Sequence, residues 1–112
     1  MPVDPDARAR AEDLRIWRSA YTDAVALDRV VPRSRTVVVG VVMRIRLDPG
    51  RSIEVTVEDG AGRLTAVWTG RTRLPGIEFG TGLRLSGTAA VHRDGTLRMR
   101  NPEYALVAEP YR

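Results

Sequence analysis

The sequence has no cysteine, no lysine and a single histidine, and its aromatic residues amount to two Trp, three Tyr and one Phe in 112 residues. The missing cysteines remove disulfides, thiol catalysis and thiolate metal sites together. His92 alone makes no zinc site without carboxylate help, so no metal and no cofactor is expected. No apolar run is long enough to span a bilayer, and the N-terminal "MPVDPDARARAED" is acidic and polar rather than signal-like. The expected location is therefore the cytoplasm, with no membrane partner. Catalysis finds little support. There is no Ser-His-Asp spacing, no Gly-rich loop opening a helix for phosphate, and no evident partner to activate the histidine. Glu58 and Asp59 are adjacent on a strand end and point to opposite faces, so they do not form a cation site. No enzyme is expected.

What is present is arginine. All 18 basic residues are arginines, against 14 acids, for a net charge of +4. The absence of lysine is most simply a coding bias of a GC-rich genome, but its consequence is chemical. Every cation is a planar fork able to grip a phosphate bidentately or stack on a base. A basic balance of this kind points toward a polyanionic partner.

The chain divides near Pro32, into a helical extension (residues 1–32) and a β domain (33–112). Before the division, Asp4 is placed to cap a helix with Pro5 at its first position. Leu14, Trp17, Tyr21 and Ala24, with Ala20 and Leu27 alongside, form one apolar stripe, which predicts a helix from Pro5 to about Leu27. After the division the period becomes two. "TVVVGVVMRIRL", Thr36 to Leu47, is a long β-branched strand with Gly40 at a bulge or bend. "SIEVTVE" and "RLTAVWT" follow, joined by Asp59-Gly60-Ala61-Gly62. After the loop "GRTRLPGIEFGTG", "LRLSGTAAVH" and "TLRMR" form a second hairpin around Arg93-Asp94-Gly95, and Gly87 marks a further bend. The tail "NPEYALVAEPYR" adds a short apolar segment, Tyr104 to Val107. Five strands, the first long and bent, predict a small closed or partly closed barrel. In the first hairpin, pairing Glu58 with Arg63 sets Val57 against Leu64, Val55 against Ala66 and Ile53 against Trp68. Every inward position is then apolar.

The strand order and the loop after the third strand resemble the OB-fold, a five-stranded Greek-key barrel, here preceded by an amphipathic helix. "VEDGAGRLTAVWTGR", "LPGIEFGTGLRLSG" and "LRMRNPEYALV" resemble the small OB-fold nucleic-acid-binding proteins of actinobacteria. They are more distantly similar to the wedge-type OB domains of branched-DNA helicases. The likeness covers roughly Val31 to Val107 and implies nucleic-acid binding.

The aromatics argue for packing. Trp68 points inward, Trp17 and Tyr21 lie on the helix stripe, Phe79 is expected to plug one end of the barrel, and the Tyr104 hydroxyl to bind backbone at the rim. The arginines argue for a ligand. Alternation turns Arg44, Arg46, Arg98 and Arg100 outward, and also Arg84 on the fourth strand. With the fifth strand set between the third and the first, Arg63, Arg98, Arg100 and Arg44 or Arg46 share a surface that Arg71 and Arg73 extend. Glu54 and Glu58 would repel phosphate there, Glu58 being held across the hairpin by Arg63. The expected function is binding of nucleic acid, single-stranded DNA rather than RNA, by arginine–phosphate contacts with weak base preference. The alternative is an adaptor in which the helix stripe docks a second copy or another protein and the arginines only solubilise.

Overall fold

A computed structural model describes residues 5–110. The element order is α1 (Pro5–Ser19), β1 (Arg35–Asp48), β2 (Ser52–Glu58), β3 (Arg63–Thr69), β4 (Gly82–Val91), β5 (Leu97–Arg100) and β6 (Glu103–Val107). The strands form one sheet in the order β1-β2-β3-β5-β4-β6, which β1 closes into a ring by pairing also with β4. All pairs are antiparallel except β3–β5. This is the barrel that the alternation predicts, with the Tyr104–Val107 segment added as β6. No helix among the described residues is long and apolar enough to cross a membrane.

β1 serves two neighbours because it bends. Arg35–Val41 pair with β4 and Val41–Asp48 with β2, and the register slips between Val42 and Arg44. Gly40 lies where β1 crosses β2. A Cβ there would sit 2.9 Å from Val57 Cβ and 3.0 Å from the Glu58 carbonyl oxygen, so only glycine permits the approach. The β2–β3 register is the one inferred from alternation, from Glu58↔Arg63 through Ile53↔Trp68. Its inward residues Ile53, Val55, Val57, Leu64, Ala66 and Trp68 are all buried. Trp68 is 1% exposed. Its indole N–H donates to the Pro102 carbonyl at 2.9 Å, and its ring meets Tyr104 edge-on at 5.7 Å. Tyr104 does bind backbone at the rim, its hydroxyl donating to the Pro75 carbonyl at 3.1 Å.

Three expectations are corrected. β5 lies between β3 and β4, not between β3 and β1. The tight turn His92–Thr96, closed by His92 N–H to Thr96 O at 2.8 Å, keeps β5 beside β4, and β1 is reached from β3 only through β2. The helix stops at Ser19 rather than near Leu27. Donors in the following segment have tertiary acceptors: Val25 N–H bonds to Val37 O at 2.8 Å, and Leu27 N–H to Asp59 Oδ2 at 2.9 Å. A continuing helix would have to give up both. The apolar stripe is nevertheless mostly covered within the chain: Leu14, Ala24 and Leu27 are buried and Trp17 and Tyr21 half-buried, with Ala20 exposed. The Trp17 indole donates to Ala108 O at 3.0 Å. Phe79, thirdly, plugs nothing. It is 78% exposed, on a turn that carries it away from the core. The expected cap, Asp4, lies outside the described residues.

The Asp59–Gly62 turn is a clamp on the N-terminal segment. Asp59 is fully buried; its Oδ1 accepts from Ala61 and Gly62 N–H at 2.9 and 3.0 Å, its Oδ2 from Leu27 N–H. Arg18 Nε stands 3.7 Å from Oδ2. Gly60, at φ +85°, packs directly under α1, where a Cβ would collide with the Ala11 carbonyl oxygen. Arg15 Nε donates to Gly60 O at 3.0 Å.

Candidate nucleic-acid interface

The outer faces of β1, β2, β3 and β5 form transverse rows, because opposed residues of neighbouring strands point the same way. Arg44, Thr56, Thr65 and Arg98 stand in one row, and Arg46, Glu54, Val67 and Arg100 in the next. The arginines occupy the two ends of each row. They form rails separated by three strand spacings, about 14 Å on a flat sheet and less on this curled one. The floor between them is low, consisting of two threonines, Glu54 and Val67. The Thr56 and Thr65 hydroxyls lie 2.9 Å apart in a hydrogen bond. The long arginine side chains and the β4–β5 turn wall a space of about 230 Å³ over that floor, lined by Arg44, Arg46 and Arg98 together with Asp94 and Thr96.

Electrostatically the face is mixed. Arg98, 32% exposed, has Nη1 3.7 Å from Glu54 Oε1 and Nη2 4.0 Å from Asp94 Oδ2. Its Nε is buried without a hydrogen-bond partner, so only the two Nη groups face the space between the rails. Asp94 keeps its carboxyl below the ordinary value of 3.8, chiefly through the Thr96 hydroxyl and then the Thr96 N–H, with His92 and Arg98 adding to the effect. It is therefore ionised at neutral pH and competes with any phosphate for Arg98. Both contacts are long and partly solvated, so a phosphate can displace them.

Of the arginines singled out by alternation, Arg44, Arg46, Arg98 and Arg100 stand on one connected face, joined through β2 rather than directly. Arg63 is the rung below, exposed, with Nε 3.6 Å from Glu58 Oε2. Arg71 and Arg73 are exposed in the loop after β3. Arg71 lines a second groove there with Arg51 of the β1–β2 turn, a residue the alternation pattern passes over because it lies in a Pro-Gly turn between strands. Arg93, at the tip of the β4–β5 turn, is passed over for the same reason. Arg84 points outward on the far wall and is engaged by Asp23. Among the described residues no aromatic ring lies on the railed floor. Among the described residues no group of three or more His, Asp or Glu side chains could hold a metal ion.

No family model and no curated protein matches the sequence. Solved structures do. A replication protein A heterotrimer bound to single-stranded DNA aligns at TM-score 0.55 and 19% identity, over 67% of this chain and 58% of that one. The p204 HINb domain aligns at TM-score 0.64 and 16% identity, over 82% of this chain and 51% of that one. The OB domain of MM0293 from Methanosarcina mazei aligns at TM-score 0.61 and 17% identity, over 78% of this chain and 84% of that one. The chain thus spans little more than half of the first two. At such identities the likeness establishes the fold, an OB-fold domain, and not the ligand.

Proposed function

We propose that the protein binds single-stranded nucleic acid, DNA in preference to RNA, along the railed face of β1, β2, β3 and β5. The observation that carries this reading is the pair of rows ending in Arg44 and Arg98 and in Arg46 and Arg100. A strand lying between the rails has a guanidinium fork on either side for its phosphates, with Arg63, Arg71 and Arg73 extending the track. The floor offers no ring and little hydrogen-bonding capacity beyond the paired threonines, so base preference is weak. The same face carries the ligand in OB-folds generally, and the replication protein A structure, with its bound strand, supports the assignment by fold. The link to small actinobacterial proteins and helicase wedge domains rests on sequence motifs, and no step of the binding depends on it. The helix stripe is packed within the chain, so the exposed surface on which an adaptor would rely is largely covered.

Salt dependence tests the reading. For about three to five phosphate contacts on a single strand, log K against log salt should have a slope of roughly −2 to −3.5. Replacing Arg98 and Arg100 together by Gln should reduce that slope by about one unit or more, with the melting temperature little changed. Fluorescence anisotropy with matched DNA, RNA and duplex oligonucleotides reads all of this. No binding to single strands at low salt by folded protein would sink the proposal and favour the adaptor. Glu54→Gln gives a gain-of-function test. Removing the carboxylate beside Arg98 should tighten single-strand binding roughly 2- to 5-fold at low salt and less at high salt. Unchanged or weaker binding would mean that the strand does not pass over β2.

A further inference from the structure

Phe79 is an exposed aromatic on a rigid mount. Thr81 N–H donates to Glu78 O at 3.1 Å and Glu78 N–H to Thr81 Oγ1 at 3.1 Å, closing the turn around it. Gly80 N–H to Val42 O at 2.8 Å and Val42 N–H to Thr81 O at 2.9 Å fasten that turn to β1. The ring thus stands out of the core on backbone held by four hydrogen bonds. Beside it a cleft of about 450 Å³ opens between α1 and the β2–β3 turn. Its floor is Leu14 and Met43, its walls are narrowed by little more than alanine and glycine, and Arg10 and Arg63 line it with Phe79. Glu58 lies there too, facing Arg63 at 3.6 Å.

Resting on the reading of the railed face as a single-strand track, we propose that this cleft takes one unpaired nucleotide of the bound strand, its base stacked on Phe79 and its phosphate on Arg63. Three features converge on that occupant. A flat ring suits a planar base, since every base offers a π-face. Arginines at the mouth suit the anion attached to it. Continuity supplies the third: Arg63 belongs both to the cleft and to the rung next to the Thr56–Thr65 row, so a strand leaving the rails at that end arrives at the cleft. The railed floor has no aromatic; the cleft would supply the stacking it lacks. A base inside a duplex cannot use it, because both its faces are stacked on neighbouring pairs and its edge is held by its partner.

The test uses the full chain with a dT oligonucleotide of about 12 nucleotides carrying one 2-aminopurine. Phe79→Ala should weaken binding roughly 5- to 100-fold while leaving the salt slope unchanged, because stacking releases no counterions. Phe79→Trp should keep the affinity and show quenched emission on binding. Both variants should melt like the parent, as the ring is outside the core. If Phe79→Ala bound as tightly as the parent while the Arg98/Arg100 double variant bound weakly, the cleft assignment would be overturned and the track would stand. If the parent bound no single strand, both would fall. An equal loss toward duplex, or binding of free AMP as tight as the strand, would also overturn the proposal. So would self-association that disappears with Phe79→Ala.

Discussion

Trp68→Ala is expected to destabilise the protein by about 3–5 kcal/mol, the range for truncating a buried large aromatic. Three losses combine. The indole leaves the centre of the barrel between β2 and β6, where it opposes Ile53 and meets Tyr104 edge-on. Its N–H no longer satisfies the Pro102 carbonyl, a buried acceptor at the kink that separates β5 from β6. Neighbours such as Val55 and Met99, both fully buried, cannot collapse into the space without moving strands. Against a total stability of about 5–15 kcal/mol for a domain of this kind, this is a large fraction. Urea or thermal unfolding measures it. Trp68→Phe should fall in between, keeping most of the ring area but leaving the carbonyl unpaired. A Trp68→Ala variant that kept its melting temperature and lost nucleic-acid binding would refute the inward placement.

The Asp59 clamp should behave almost as strongly, and for a different reason. Asp59→Ala strands three N–H donors, of Leu27, Ala61 and Gly62, and leaves Arg18 beside a void. Buried hydrogen bonds to a charged acceptor contribute about 1.5–3 kcal/mol each before relaxation. Removing one partner of a buried charged pair costs about 3–5 kcal/mol; with Arg18 partly solvated, a loss of about 3 kcal/mol is expected. The effect has an address. Hydrogen exchange should accelerate at Leu27 and Ala61 well before it does in β4, since the clamp joins the residue 20–34 segment to the hairpin. Uniform acceleration across the sheet would show that the clamp is not a local unit. Because α1 and this turn also wall the Phe79 cleft, Asp59→Ala should weaken the cleft's contribution to binding more than that of the rails.

The β2–β3 hairpin was legible because its alternation is unbroken from Ile53 to Trp68, and a one-residue slip would have buried Glu54 or Glu58. The outward direction of Arg44, Arg46, Arg98 and Arg100 followed from the same period of two. Helix length was not legible. The stripe from Leu14 to Leu27 keeps a helical spacing, and only the positions of Val37 O and the Asp59 carboxylate, distant in sequence, show that residues 25 and 27 need extended donors. Phe79 was misread because hydrophobicity alone predicts burial, whereas the hydrogen bonds of the Glu78–Thr81 turn hold it outward.

Local chemistry by itself determined which residues face in, where the chain turns and that every cation is an arginine. Those features depend on neighbours two to four residues apart, and in β2 and β3 nothing distant reverses them. In β1, by contrast, the slip between Val42 and Arg44 leaves Ile45 and Leu47 exposed, although alternation sets them opposite the arginines. Only the tertiary structure decided which arginines share a surface. Strand adjacency is a property of pairing between remote segments: β5 lies beside β3 and β4, and Arg98 faces Arg44 only across the two intervening strands of the curled sheet. The same is true of the Asp59-Gly60-Ala61-Gly62 turn. Its residues announce a tight reversal, but that it also holds α1 depends on a buried carboxylate finding Leu27 and a glycine passing beneath Ala11.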